Sequence, residues 1–99
     1  MFDDLEFTLE EGKNTNHDVT LFALSTCGFC KRSMKFLREK DVKFRYLYID
    51  KLPYEKKMDV KDRLKEKFNK RAVFPYLIID EKDAIIGSTQ SEWEDILGL

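Results

Sequence analysis

The feature that most constrains the fold is a pair of cysteines between an apolar run and a helical pattern. Cys27 and Cys30 are the two cysteines of the chain, in the motif Cys-Gly-Phe-Cys. The run at residues 19–24 is typical of a central strand that is buried on both faces. Residues 31–40 carry apolar side chains at helical spacing. A strand that leads into a Cys-x-x-Cys at the start of a helix is the arrangement that a dithiol redox centre needs.

The order of the following elements indicates a mixed α/β sheet. A strand at 42–49 completes a strand–helix–strand unit, whose two strands should be parallel. Apolar residues at helical spacing predict a second helix at about 54–69. The runs at 76–79 and 84–86 are close enough to form an antiparallel hairpin. We therefore predict a four-stranded mixed sheet of the order βαβ, helix, ββ, helix, with helices on both faces and the first strand in the centre.

Two helix starts are predicted from capping residues. Ser25 or Thr26 can cap the first helix, and Ser88 or Thr89 can cap a final helix. The inward-facing residues of that final helix are expected to be Trp93, Ile96 and Leu97.

The first residues differ in composition from the rest. Residues 1–17 form an acidic N-terminal extension, which we expect to be solvated, with a short edge strand indicated by the alternation of apolar and polar residues at 5–9. We assign residues 18–99 to a single domain, because 99 residues supply one modest core.

Composition bounds the location and the partners. An apolar fraction of 42% and a charged fraction of 37% are typical of a soluble globular protein. A net charge of −1 gives no reason to expect nucleic acid or an anionic membrane as a partner. No apolar run approaches the ~20 residues of a membrane span, and no signal peptide pattern is present. We therefore expect a cytoplasmic monomer with no nucleic acid or membrane partner.

The cysteine pair has the surroundings that thiol–disulfide exchange requires. Cys27 is predicted at the start of a helix, where unpaired N–H groups and the helix dipole favour its thiolate. Lys31 and Arg32 add positive charge in the same turn. Cys30, one turn later, should be more buried, so we predict that Cys27 is the nucleophile and Cys30 the resolving thiol. Gly28 keeps the turn compact and exposes the backbone to a docking substrate.

Half of a zinc site is the other interpretation of the pair. Structural zinc usually takes four protein ligands, whereas the chain has two cysteines and one histidine, His17. Only a metal bridging two chains would satisfy this count. We therefore favour redox chemistry and predict no resident metal.

Three motifs in the same order make the chain resemble a glutaredoxin, within the thioredoxin fold. They are Cys27-Gly28-Phe29-Cys30, then Val73-Phe74-Pro75, then Gly87-Ser88 where the family has a Gly-Gly turn. The resemblance implies that Pro75 is cis and faces the nucleophilic cysteine across the site. It also implies that the backbone of Phe74 pairs with an extended substrate, in an electron carrier that reduces protein or mixed disulfides. We assign substrate binding to Thr26, Gly28, Phe29, Lys31, Val73, Phe74, Pro75, Gly87 and Ser88.

The resemblance leaves two electron sources open. Leu24 stands where many glutaredoxins have a lysine that contacts the glutathione carboxylate. Gln90 and Ser91 stand near positions where the family has acidic residues for the γ-glutamyl amine. The expected reductant is therefore either glutathione or a thioredoxin-type flavoprotein reductase, and no cofactor is expected to be bound permanently.

An iron–sulfur carrier is the alternative function. Cys-Gly-Phe resembles the start of the monothiol glutaredoxin motif Cys-Gly-Phe-Ser, whose members bridge two chains with a [2Fe–2S] cluster and glutathione. Cys30 stands where that motif has serine, which favours disulfide chemistry.

Overall fold

The computed structural model describes residues 2–87 and 90–99, and this part of the chain forms five strands and three helices. The strands are β1 (Thr8–Glu10), β2 (Val19–Ala23), β3 (Phe44–Tyr48), β4 (Tyr76–Ile79) and β5 (Asp83–Ile86). The helices are α1 (Gly28–Glu39), α2 (Tyr54–Phe68) and α3 (Gln90–Leu97), and a 3-10 turn (Ile49–Lys51) follows β3. From β2 onward this order confirms the predicted arrangement.

The five strands form one sheet in the order β1-β3-β2-β4-β5, with β2 in the centre. β2 pairs in parallel with β3 and antiparallel with β4, and β4 and β5 form an antiparallel hairpin. The predicted class, central strand and hairpin are therefore confirmed. The predicted count of four strands is one too low, because Thr8–Glu10 pairs antiparallel with β3 at the edge of the sheet.

Helices cover both faces of the sheet, as predicted. On one face, α1 and α3 pack Met34, Leu37 and Trp93 against the sheet. On the other face, α2 contributes Val60 and Leu64 to a second apolar cluster. All five residues of β2 are buried because both of its faces are covered, which explains its continuous apolar run.

Two details at the helices differ from the predictions. The N-cap of α1 is Cys27, and neither Ser25 nor Thr26 caps it. In α3, Trp93 and Leu97 are buried as expected, whereas Ile96 is 41% exposed. A helix of eight residues presents few positions to the core, and Ile96 lies on its outer side. The predicted caps of α3, Ser88 and Thr89, lie outside the described residues.

The N-terminal residues are only partly solvated. Phe2 and Leu5 are buried in the cluster on the α2 face, and the ring of Phe2 packs edge-on against Phe22 at 5.2 Å between centroids. The expectation of a solvated extension is therefore wrong for these two apolar residues, because they cover sheet surface that α2 leaves open. The division of the chain at residue 17 stays a prediction. None of the three described helices has the length and apolar character that crossing a membrane requires.

Candidate active site

The strand register brings the described residues of the predicted site to one end of the sheet, where β2, β3 and β5 end and β4 begins. Ala23, the last residue of β2, is opposite Tyr48, the last residue of β3. Phe22 is opposite Tyr76 at the start of β4, and Tyr76 is opposite Ile86 at the end of β5. The segments that follow β2, β3 and β5 and the segment that precedes β4 therefore meet at this end of the sheet. The cysteine motif, the Phe74-Pro75 segment and Gly87 belong to these segments.

Cys27 occupies the N-cap of α1, with extended backbone angles of φ −90° and ψ 116°. Its Sγ accepts a hydrogen bond from the backbone N–H of Cys30 at 3.1 Å. Its own N–H donates to the carbonyl oxygen of Leu24 at 3.2 Å, which closes the turn before the helix. A sulfur that receives an N–H at a helix N-terminus is stabilised as an anion by that bond and by the helix dipole. This geometry suits a nucleophilic thiolate.

Cys30 lies one turn into α1 and differs strongly from Cys27. Its side chain is fully buried, whereas Cys27 is half-buried. The pKa of Cys30 is raised to about 12. Burial is the largest cause, and a hydrogen bond between its side chain and that of Cys27 is the second. Cys30 is therefore a protonated thiol at neutral pH, as a resolving cysteine should be before the first exchange step.

An exposed aromatic side chain lies between the two cysteines in sequence. Phe29 is 40% exposed, and the guanidinium of Arg32 lies over its ring at 5.5 Å from the centroid. An Nη atom of Arg32 would be 3.6 Å from a Cβ at Gly28, so this cation covers the turn next to Cys27. The first turn of α1 carries no acidic residue. The surface beside the nucleophile thus combines an aromatic ring with positive charge.

The segment before β4 has the geometry that the resemblance implies. The Phe74-Pro75 peptide bond is cis, which confirms that expectation. The carbonyl oxygen of Pro75 accepts the N–H of Gly87 at 3.2 Å, so the two motifs are neighbours. Phe74 is half-buried. Like Cys27, it packs against the apolar cluster that α1 and α3 form on their face of the sheet. Val73 is 44% exposed. Gly87 has a φ of +52°, which favours glycine.

The other predicted binding residues fall in the same region. Thr26, Gly28 and Lys31 are exposed around the start of α1. Ser88 lies outside the described residues. The assignment of substrate binding to these residues stays a prediction.

Sequence analysis missed a polar pair behind the cysteine turn. Asp50, in the 3-10 turn after β3, accepts the Ser25 backbone N–H at 2.9 Å and the Ser25 hydroxyl at 2.5 Å. The hydroxyl hydrogen bond of Ser25 is the main cause of a lowered pKa of Asp50. The pair could have been predicted from position alone, because residues that follow two neighbouring parallel strands lie at the same end of the sheet.

Residues 2–87 and 90–99 offer no ready-made metal centre. Within these ranges, no group of three or more His, Cys, Asp or Glu side chains is placed to hold a metal ion.

A mixed sheet with a Cys-x-x-Cys at the start of α1 and a cis-proline before β4 defines a thioredoxin-fold protein. The sequence profile of the glutaredoxin family matches residues 19–84. The chain therefore belongs to the glutaredoxin family. Membership in this family, together with the cysteine pair, supports thiol–disulfide oxidoreductase chemistry in general.

Three solved structures are similar over most of the chain. A glutaredoxin from Methanosarcina mazei Go1 is 29% identical, with a TM-score of 0.81, over 96% of this chain and 90% of that chain. Methanoredoxin from Methanosarcina acetivorans is 30% identical, with a TM-score of 0.74, over 83% and 85%. The glutaredoxin grx-1 from Archaeoglobus fulgidus is 25% identical, with a TM-score of 0.71, over 81% and 85%. A search of curated protein sequences found no match.

Proposed function

We propose that this protein is a dithiol oxidoreductase, an enzyme that carries electrons to protein or mixed disulfides through Cys27 and Cys30. The observation that carries the proposal is the contrast between the two thiols. Cys27 Sγ accepts an N–H at the helix N-terminus and is partly accessible, whereas Cys30 is buried with a raised pKa. This contrast supports attack by Cys27 and resolution by Cys30.

The reaction proceeds in two exchange steps. The Cys27 thiolate attacks one sulfur of a substrate disulfide R–S–S–R′, so that a Cys27–S–S–R bond forms and R′S⁻ leaves. Cys30 then loses its proton to the released thiolate and attacks the Cys27 sulfur. The Cys27–Cys30 disulfide forms and RS⁻ leaves, so the protein is oxidised by two electrons and the substrate is reduced by two.

A reductant must then return two electrons and two protons to the Cys27–Cys30 disulfide. Two molecules of glutathione, which become glutathione disulfide, or a thioredoxin-type flavoprotein reductase would supply them. Leu24 is half-buried against the α2 face cluster and presents no charge to a glutathione carboxylate. This position favours the flavoprotein over glutathione, with neither bound permanently.

The surface around Cys27 suits a protein substrate. Phe29 and Val73 expose apolar area near the motifs, and Lys31 and Arg32 are exposed on α1. Aromatic side chains and arginine are enriched at protein interfaces, which Phe29 and Arg32 fit. We propose that the protein acts as a cytoplasmic monomer, since a reducing compartment keeps such cysteine pairs available for exchange.

Coupled reduction assays test the proposal. Insulin reduction is measured with NADPH and thioredoxin reductase, and separately with NADPH, glutathione and glutathione reductase. The wild-type protein is expected to be active with at least one system, and Cys27→Ser with neither. Inactivity of the wild type in both systems, with insulin and with a glutathionylated protein as substrates, would refute the proposal.

The iron–sulfur alternative has a distinct signature. Protein purified anaerobically is expected to be colourless and monomeric, and to lose two thiols on oxidation. A brown dimer with cluster absorbance would instead support the carrier function.

A further inference from the structure

The Ser25–Asp50 pair links the end of β3 to the turn that carries Cys27. Ser25 offers two donors to the one carboxylate, its backbone N–H to Oδ1 at 2.9 Å and its hydroxyl to Oδ2 at 2.5 Å. Two simultaneous hydrogen bonds fix the orientation of Ser25 as well as its position. Hydrogen bonds to an ionised carboxylate are also stronger than those between neutral groups.

The same turn determines the surroundings of the Cys27 sulfur. Ser25 lies within the turn that the Cys27 N–H closes onto the Leu24 carbonyl at 3.2 Å. Cys27 is the next residue but one, and its Sγ receives the Cys30 N–H at 3.1 Å. A rotation of the turn would move Cys27 relative to the fixed N-terminus of α1. Because hydrogen bonds weaken steeply with misalignment, such a rotation would reduce the stabilisation of the thiolate.

We propose that Asp50 is a positioning residue for the nucleophile. Through Ser25, it holds the turn at residues 24–27 so that the Cys27 sulfur receives the Cys30 N–H. The inference deepens the proposed function of the site, on which it rests, and it concerns a residue that touches neither substrate nor sulfur directly.

Two roles for Asp50 predict opposite effects, which makes the proposal testable. A nearby carboxylate that acts only as a charge disfavours a thiolate, so its neutralisation would make Cys27 more reactive. A carboxylate that acts by positioning favours the thiolate, so its loss would make Cys27 less reactive. Ser25→Ala separates the two roles because it retains the charge and removes one hydrogen bond.

The test measures the alkylation rate of Cys27 by iodoacetamide in a Cys30→Ser background, with Ser25→Ala, Ser25→Thr and Asp50→Asn added singly. Ser25→Ala and Asp50→Asn are expected to react about three- to tenfold more slowly at pH 7, the effect of one weakened hydrogen bond. Ser25→Thr, which keeps the hydroxyl, is expected to react like its parent. Asp83→Asn, an exposed carboxylate at the start of β5, serves as the matched control.

A second measurement distinguishes thiolate stabilisation from loss of access or of folding. Because pH 10 lies well above the ordinary pKa of about 8.5 of a cysteine thiol, the availability of thiolate should no longer limit the reaction, so the rates of Ser25→Ala and its parent are expected to converge. A deficit that persists at pH 10 would indicate a changed access path and would contradict the proposal. Faster alkylation of Asp50→Asn with an unchanged Ser25→Ala would overturn it in favour of a simple charge effect. Iodoacetamide needs no disulfide substrate, so these outcomes do not depend on the proposed enzymatic function.

Discussion

At the scale of single residues, the two cysteines differ because one caps a helix and the other is buried one turn later. That Cys30 is more buried than Cys27 could be predicted from the sequence, since a helix start after a buried strand implies that difference. The cap could not be predicted, because serine and threonine are stronger capping residues than cysteine. Ser25 is unavailable as a cap since its hydroxyl binds Asp50, a contact that only the assembled sheet creates.

Substitution of each cysteine should have a different consequence. Cys27→Ser is expected to abolish insulin reduction, because a serine hydroxyl is a weak nucleophile and cannot form the mixed disulfide. Cys30→Ser should retain the first step and accumulate a mixed disulfide, which intact mass spectrometry detects. If Cys30→Ser turns over protein disulfides like the wild type, the resolving role is wrong.

The raised pKa of Cys30 makes the stability of the reduced protein depend on pH. Folding raises this pKa from an ordinary 9.0 to about 12, so between these values the unfolded chain loses a proton that the folded chain keeps. The free energy of unfolding should therefore be unaffected by this group below pH 9 and fall as the pH rises above it. Urea denaturation of reduced wild type and Cys30→Ala, at pH 8 and pH 10.5, measures the difference. Equal pH dependence in both proteins would contradict the prediction.

At the scale of elements, the strength of the sequence pattern decided which predictions succeeded. β2 and β4 are continuous apolar runs, and their predicted bounds agree with the structure to within one residue. The alternation at residues 5–9 predicts a short edge strand, but the strand lies at Thr8–Glu10, because these are the residues that pair with β3. Ile96 was misplaced because a two-turn helix has too few residues for its period to define a face.

The hydroxyl of Tyr76 connects β4 to the C-terminal part of α2. The hydroxyl lies 3.3 Å from the carbonyl oxygen of Leu64, in α2, and 3.4 Å from that of Lys70, just after α2. Tyr76→Phe removes the donor and leaves the ring in place, so we expect a loss of about 1 kcal/mol in the free energy of unfolding.

Tyr54→Phe is the matched control because the Tyr54 side chain is 71% exposed. Its expected change is below about 0.5 kcal/mol. Equal urea midpoints for the two variants would show that the Tyr76 hydroxyl does not stabilise the junction of α2 and β4.

At the scale of the whole molecule, the N-terminal residues complete the core on the α2 face. Asp4 accepts hydrogen bonds from Lys56 at 2.6 Å and from both Nη atoms of Arg63 at 2.9 Å. The guanidinium of Arg63 also lies over the Phe2 ring at 5.2 Å from its centroid. The acidic composition of residues 1–17 suggests a solvated segment. The contacts that fold it onto the core could not be predicted, because each joins residues that are far apart in sequence.

Phe2 tests whether this segment belongs to the folded domain. Its side chain is 2% exposed, so Phe2→Ala should lower the free energy of unfolding by about 3 kcal/mol, as in other cores. Leu9→Ala is the control, because Leu9 is 54% exposed and its removal should cost below about 0.5 kcal/mol.

Urea denaturation also compares the full chain with one that begins at residue 18. If truncation leaves stability unchanged, the domain boundary lies at residue 17 as the sequence predicts. A loss at least as large as that of Phe2→Ala would move the boundary to include Phe2.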